Sequence, residues 1–354
     1  MVDDPAAAPG RDATQHTLHA YDGACRQINA WIAGEQALAL LRAAHASGLL
    51  DAVGTPRTAQ ALAGITGIDS SRVADLLSAL DAHGIVARDG ATYRLAADYA
   101  TLAAPDAFQP LPDLIARSAV MARMIATSAA PEQPYTGMSA EDALAFARAT
   151  TPNPLSPAFV AYLAAVTDRL PELRAPWEAG AHHLEFGCGA GAALVGFLAA
   201  HPRLTGVGVE INPAVITETR RRAAAAGVAD RVEVRQGDAR DGAEAATYDS
   251  AFWAQQFFAT PDRPALLAAL RRALKPAGLL LVPTFVPGEP PVDDEALRAP
   301  RGRAYALNRV RFGHWGIPAL TAAELRAEAE TAGFAYIRQT AFSTAFLLLF
   351  RAPA

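Results

Sequence analysis

The run Leu184-Glu185-Phe186-Gly187-Cys188-Gly189-Ala190-Gly191 decides the fold. Apolar residues lead into three glycines at alternate positions, and an Ala/Leu/Val-rich stretch, 192–200, follows. A strand, a tight turn and a helix are expected in that order. Glycine has no Cβ, so such a turn lets the backbone approach a ligand closely. By itself this is a generic nucleotide signal. Gly187-x-Gly189-x-x-Ala192 even satisfies the dinucleotide fingerprint.

Around this turn, strand-like and helix-like segments alternate. Strands are expected over 182–186, 206–210, 232–236, 250–254 and 279–283, with helices over 192–200, 214–226 and 263–274. That rhythm implies a parallel sheet with helices on both faces. A helix over 321–332 follows, then strands over 336–340 and 344–351. Too few residues separate these two for a parallel crossover, so an antiparallel hairpin is expected at the end of the sheet.

Three carboxylates discriminate between cofactors. Glu185 stands two residues before the first glycine. There it would repel a pyrophosphate, but it can hold the cationic ammonium of a methionyl group. Glu210 ends the second strand of the series, where it can accept both hydroxyls of a ribose, which suits NAD and S-adenosylmethionine alike, with Ile211 beside it. Asp238, in Gly237-Asp238-Ala239 after the third strand, can accept from an adenine amino group. All should converge on the crevice at the carboxyl edge of the sheet.

The first half reads differently. A long helix is expected over 27–50, with Ile28, Trp31, Ile32, Leu38 and Leu41 at helical spacing. Shorter helices follow over 58–63 and 70–83, the latter capped by Ser70 or Ser71. Two short strands then flank Asp89-Gly90. Helices followed by a hairpin form a winged-helix pattern. From 58 to 99, however, Arg72, Arg88 and Arg94 face five aspartates, which argues against a DNA-reading helix. The long helix carries more apolar positions than one buried face needs, including Trp31, Leu40, Leu49 and Leu50. The surplus points to a dimer interface. The expected organisation is a disordered tail (1–12), a helical winged-helix and dimerisation domain (13–104), connecting helices with a lid (105–170), and a Rossmann-like domain (171–354). Tyr135 lies in the lid loop.

Composition is consistent with this. A net charge of −5 over 354 residues disfavours a nucleic-acid binder, and half the residues are apolar, enough for a sizeable core. Cys25 and Cys188 are far apart, which supports neither a disulfide framework nor a metal site and suits a reducing cytoplasm. No stretch has the length to span a bilayer.

On these residues, 158–351 resembles a class I S-adenosylmethionine (SAM)-dependent methyltransferase. The combination is Glu185 with Gly187, Gly189 and Gly191, the ribose acid Glu210, Gly237-Asp238-Ala239, and Leu274-Lys275-Pro276-Ala277-Gly278. The front end resembles the dimerising domain of small-molecule O-methyltransferases. The resemblance implies SAM as cofactor and a small-molecule acceptor, with no nucleic-acid or membrane partner. Trp253 joins these residues as an aromatic beside the sulfonium, where a ring face is worth ~0.5–2 kcal/mol.

One departure governs the mechanism. Many relatives place a histidine, the general base for a phenol, after the fourth strand. Here that segment is Phe252-Trp253-Ala254-Gln255-Gln256-Phe257-Phe258-Ala259-Thr260-Pro261-Asp262. Glutamine hydrogen-bonds but takes up no proton at neutral pH. Gln255 or Gln256 is expected to face the crevice, with Phe257 or Phe258, and His314 in a glycine-flanked aromatic loop is the best-placed histidine. His182 and His183 are expected to be structural, and Arg169 and Arg174 solvated. The acceptor is then expected to be already nucleophilic: an amine, an activated carbon or a low-pKa hydroxyl. Two alternatives remain: cyclisation of SAM to a cyclic amino acid with release of methylthioadenosine, and a SAM-sensing winged-helix regulator.

Overall fold

The computed structural model describes residues 11–130, 135–284, 290–342 and 345–354. Residues 1–10 of the expected tail, residues 131–134 of the expected lid loop and Thr344 of the last expected strand lie outside them. Two compact units divide at Ala103/Ala104.

The first unit begins with α1 (Arg11–Ala46), which takes in the last two residues assigned to the tail. Gly48, at φ 74°, ends the expected long helix early, and α2 (Leu49–Ala52) restarts it. Next come β1 (Arg57–Thr58), α3 (Ala59–Thr66) and α4 (Ser70–Ala82). Asp69 caps α4, accepting from the Ser71 amide at 2.9 Å; the serines do not. β2 (Val86–Asp89) and β3 (Thr92–Leu95) form the hairpin, and β1 pairs antiparallel with β3. Leu49, Leu62, Val73, Leu77 and Leu80 are fully buried here. Leu49 and Leu50 therefore belong to this core and not to a free surface. α5 (Ala97–Ala103) closes the unit.

The second unit opens with α6 (Leu111–Thr127), α7 (Ala140–Ala149), α8 (Pro157–Asp168) and α9 (Pro171–Ala179). The alternating series is β4 (His182–Phe186), α10 (Ala192–Ala200), β5 (Thr205–Glu210), α11 (Pro213–Ala225), β6 (Val232–Gln236), β7 (Tyr248–Trp253), α12 (Arg263–Ala273) and β8 (Leu274–Pro283). Then come α13 (Asp294–Arg298), α14 (Pro300–Gly313), α15 (Ala322–Thr331), β9 (Ala335–Phe342) and β10 (Ala345–Arg351). Helix α14 has no counterpart among the expected elements, and it takes in Phe312 and Gly313 of the expected aromatic loop. Four arginines and two glycines interrupt its apolar period, and Gly302 is required because a Cβ there would lie 2.1 Å from the Ala296 carbonyl.

The seven-stranded sheet has the order β6-β5-β4-β7-β8-β10-β9. The first five strands are parallel, and β10 is antiparallel to both its neighbours. Alternation along β4 sorts the two faces. Leu184 and Phe186 join a core with α12 and α15, while His183 and Glu185 turn toward the side of α8, α9 and α10. From β4 the chain runs outward to β5 and β6, then returns to β7 on the other side. That reversal opens a crevice at the carboxyl ends of β4, β5 and β7. No helix among the described residues is long and apolar enough to cross a membrane.

Candidate functional site

A cavity of about 400 Å³ occupies this crevice. One side is the carboxyl edge of the sheet, with Gly187, Gly189, Glu210, Ile211, Asp238 and Ala239. The other is largely aromatic: Tyr135, Phe146, Phe257, Phe258 and Trp315.

The glycines divide by role. Gly187 and Gly189 both have positive φ and line the cavity. A Cβ on Gly187 would lie 2.9 Å from Phe258, whereas one on Gly189 would meet nothing within 4 Å and would project into open space. Gly191 is not a lining residue. It starts α10 at φ 74°, and a Cβ there would lie 2.6 Å from the Thr219 side chain. Its small size serves the packing of α10 on α11.

Glu210 is buried at the end of β5. Its Oε2 accepts from the Gly189 amide at 3.1 Å and its Oε1 from the Asn212 amide at 2.9 Å. Burial raises its pKa, and those amides oppose the shift. Each oxygen keeps a further lone pair for a diol. Glu185 is 3% exposed, with Oε2 buried and without a partner among the described residues. Burial pushes its pKa well above the ordinary carboxylate range, against a hydrogen bond from the Leu194 amide.

Asp238 does not stand free. Arg240 forks onto it from two residues downstream, with its Nη2 2.5 Å from Oδ2, and reaches Asp262 with its other amino group at 2.8 Å. Arg240 is the largest influence holding the Asp238 carboxyl below its usual range. A ligand amino group would therefore share Asp238 with a guanidinium.

The segment after β7 splits. Phe257 and Phe258 both line the cavity. Gln255 does not: it is 1% exposed, donates to the Pro283 carbonyl at 3.1 Å and accepts from Arg263 at 3.1 Å. Arg263 is itself held by Glu328 through two bonds, at 2.7 and 2.6 Å. Gln256 lines a separate cavity of about 10 Å³ with Tyr305 and Phe312, its Oε1 unpartnered. Trp253 packs into the core on the α12 side, with the Arg263 guanidinium 4.7 Å above its ring. His314 caps the C-terminus of α14, buried, with neither ring nitrogen hydrogen-bonded among the described residues; it lines neither cavity. Trp253, Gln255, Gln256 and His314 thus stand apart from the large cavity, and no histidine lines it among the described residues. His183 is buried against Ser250, at 2.8 Å, with its pKa driven down to about 3 by burial. Arg174 pairs with Glu178 and Asp168 on the surface.

Helix α7 supplies wall residues that the sequence reading missed, Phe146 and Ala147, with Thr150 at its C-cap and Thr151 just beyond. Phe146 stands edge-on to Trp315 at 5.3 Å and to Phe257 at 5.9 Å. Its only local signal was its apolar spacing with Ala143 and Ala147. Arg240 was detectable as a cation two residues from Asp238.

The glycine turn, the buried Glu210 at the end of the next strand and the acidic turn after the third lie together on one crevice of a Rossmann-like sheet. Residues 184–280 match the family described as "Methyltransferase domain". The region therefore carries a methyltransferase domain. Among solved structures, an O-methyltransferase family protein from Burkholderia thailandensis is similar at 19% identity, with a TM-score of 0.69, over 94% of this chain and 98% of that one. N,N-8-amino-8-demethyl-D-riboflavin dimethyltransferase (RosA) from Streptomyces davawensis is similar at 23% identity and TM-score 0.61, over 94% and 99%. CalO1, a methyltransferase of calicheamicin biosynthesis in its S-adenosylhomocysteine (SAH)-bound form, is similar at 22% identity and TM-score 0.58, over 98% and 100%.

The site residues fit SAM. Glu210 suits a ribose diol, and the open space over Gly189 is a cradle that a side chain would fill; Glu185 does not line the cavity itself, but its Oε2, without a partner among the described residues, suits an ammonium.

Proposed function

We propose that this protein methylates a small molecule of specialised metabolism, using SAM, in the cytoplasm and as a homodimer. The observation that carries the reading is Glu210, held by two backbone amides on the wall of the same cavity as the glycine turn. When bound, SAM supplies an electrophilic methyl group on a positive sulfur. Glu210 would hold the ribose hydroxyls, Glu185 the ammonium, and Asp238 with Ile211 and Ala239 the adenine end. Phe146, Phe257 and Trp315 exclude water and give the acceptor an apolar bed on which it is oriented. Ring faces near a cation stabilise it.

Among the described residues that line the cavity, none is placed as a general base: Glu210 is engaged, and Asp238 and Asp262 share Arg240. The acceptor therefore arrives with its lone pair available, and its class is an amine, an activated carbon or a low-pKa hydroxyl. RosA, named for dimethylating an amino-riboflavin, offers a precedent on this fold. Neither SAM cyclisation nor a SAM-sensing regulator has an observation in its favour.

We read the N-terminal helices and hairpin as a winged helix used for dimerisation. Tyr21, Ile28, Trp31, Ile32 and Leu38 of α1 are all at least 43% exposed, a surplus of apolar surface for one helix. Light scattering should give twice the chain mass.

Incubating the protein with SAM and panels of amines, enols and acidic phenols, followed by mass spectrometry, tests the reaction. SAH with a methylated product supports it; methylthioadenosine formed from SAM alone overturns it.

A further inference from the structure

We propose that Arg311, His314 and Arg117 form a subsite for an anionic group, a carboxylate or a phosphate, carried by the methyl acceptor. The inference rests on the methyltransferase reading above and names one chemical feature of its substrate.

Arg311 lies in the last turn of α14 and His314 is the C-cap of that helix. Three residues apart, their side chains adjoin on one face. Arg311 Nε and both ring nitrogens of His314 are buried, and none has a hydrogen-bond partner among the described residues. Arg117 lies on α6, which packs against α14. It too makes no hydrogen bond or ion pair among the described residues.

Arginines set into the protein elsewhere reach a carboxylate. Arg148 and Arg222 meet Glu218 at 2.7 and 2.8 Å, and Arg263 meets Glu328 at 2.6 Å. Between α6 and α14 the acids are turned to other partners. Asp113 of α6 faces Arg222 at 3.8 Å, and Asp142 of α7 pairs with Arg123. Helix α14 carries four arginines and no acidic residue. Burial first, then the charge of Arg117, lowers the Arg311 pKa. Two partly desolvated cations with no counter-charge are costly, and an anion between them removes that cost. The guanidinium fork matches a carboxylate or phosphate, and an imidazole carries at least one N–H donor whatever its tautomer.

Placement points to the acceptor as the source of the anion. Val120 and Met124 of α6 pack in one cluster with Phe146, Phe312 and Trp315. Arg117 stands one turn before Val120, and Arg311 one turn before Trp315, which lines the large cavity. An acceptor resting on this aromatic bed, its reacting atom toward the sulfur, would turn its far end to the arginines.

The test is calorimetric titration with benzoate, inorganic phosphate and, as an uncharged control, benzamide, each with and without SAH. Wild type, Arg311→Gln and Arg117→Gln are compared, with the melting temperature of each. Benzoate should bind wild type and benzamide should not. Each substitution should weaken benzoate by about tenfold or more, the size of one hydrogen bond to a charged group. Neither should lower the melting temperature, because each removes an uncompensated charge. Benzoate affinity within about twofold of wild type in both variants overturns the assignment. So do a wild type that ignores benzoate, equal binding of benzamide, and a lost affinity that comes with a fall in melting temperature. Arginine-dependent binding of phosphate but not of benzoate gives the site to a free anion and overturns the acceptor's claim to it. A wild type that binds no SAH overturns the methyltransferase reading itself, while the titrations without SAH still decide the anion subsite.

Discussion

The Gly189 amide donates to Glu210 Oε2 at 3.1 Å, tying the glycine turn after β4 to the end of β5. The bond fixes the carboxylate before any ligand arrives, so less ordering is left to the binding step. It also makes Glu210 a structural partner of the turn it faces.

Glu210→Ala removes the diol acceptor and leaves the Gly189 and Asn212 amides without partners. SAH affinity should fall by about 1–3 kcal/mol, or roughly five- to 150-fold. Calorimetry measures this directly. Unchanged affinity would remove Glu210 from the ribose site.

The two glycines should separate experimentally. Gly191→Ala drives a Cβ to 2.6 Å from Thr219, so it should lower the melting temperature markedly. Gly189→Ala meets no atom within 4 Å but sits at φ 53°. It should cost only about 1 kcal/mol of stability while weakening SAH binding strongly, because the new methyl enters the cavity. Differential scanning calorimetry paired with SAH titration decides it, and equal effects of the two variants would contradict the division of roles.

Glu185 gives a pH dependence with a definite sign. Its folded pKa is raised by burial, so between the unfolded and folded values the native state holds more protons. Its contribution to stability is complete below the unfolded pKa and is lost as pH rises through the folded pKa. Ligand-free Glu185→Gln should therefore melt higher than wild type at about pH 8 and much the same at about pH 4. A ligand ammonium reverses the preference and ionises Glu185. SAM binding should then release a proton in wild type, but not in the variant, when calorimetry is repeated in buffers of different ionisation enthalpy. Proton-neutral binding in wild type would detach Glu185 from the ammonium.

Gln255→His tests whether the base of related enzymes can be restored at that position. Gln255 is locked between Arg263 and Pro283. The substitution should lower stability by about 1–3 kcal/mol, because buried partners lose their bonds. SAH affinity should stay near that of wild type. A stable variant with a new ionisation in its pH–rate profile would show that position 255 reaches the acceptor.

What was legible in the sequence was local. Strand β4, its three glycines and Glu210 follow from short-range pattern, because alternation and turn chemistry are set by neighbours along the chain. The burial of Gln255 was not legible, since its partners are Arg263 and a carbonyl on β8. Asp238 looked free because its pairing depends on how the Arg240 side chain folds back. The aromatic wall joins Phe146 of α7 to Phe257 and Trp315 across long stretches of chain, a contact that no periodicity encodes. Helix α14 was hidden by its glycines and arginines.

The most direct test of the central claim is a pair of calorimetric titrations of the ligand-free protein, one with SAH and one with NAD⁺. The glycine turn and the Glu210 acceptor fit both ligands, while the Glu185 oxygen, unpartnered among the described residues, favours the sulfur nucleoside. The account predicts SAH binding with a dissociation constant on the order of micromolar and no measurable heat with NAD⁺. Tighter binding of NAD⁺ than of SAH would contradict it.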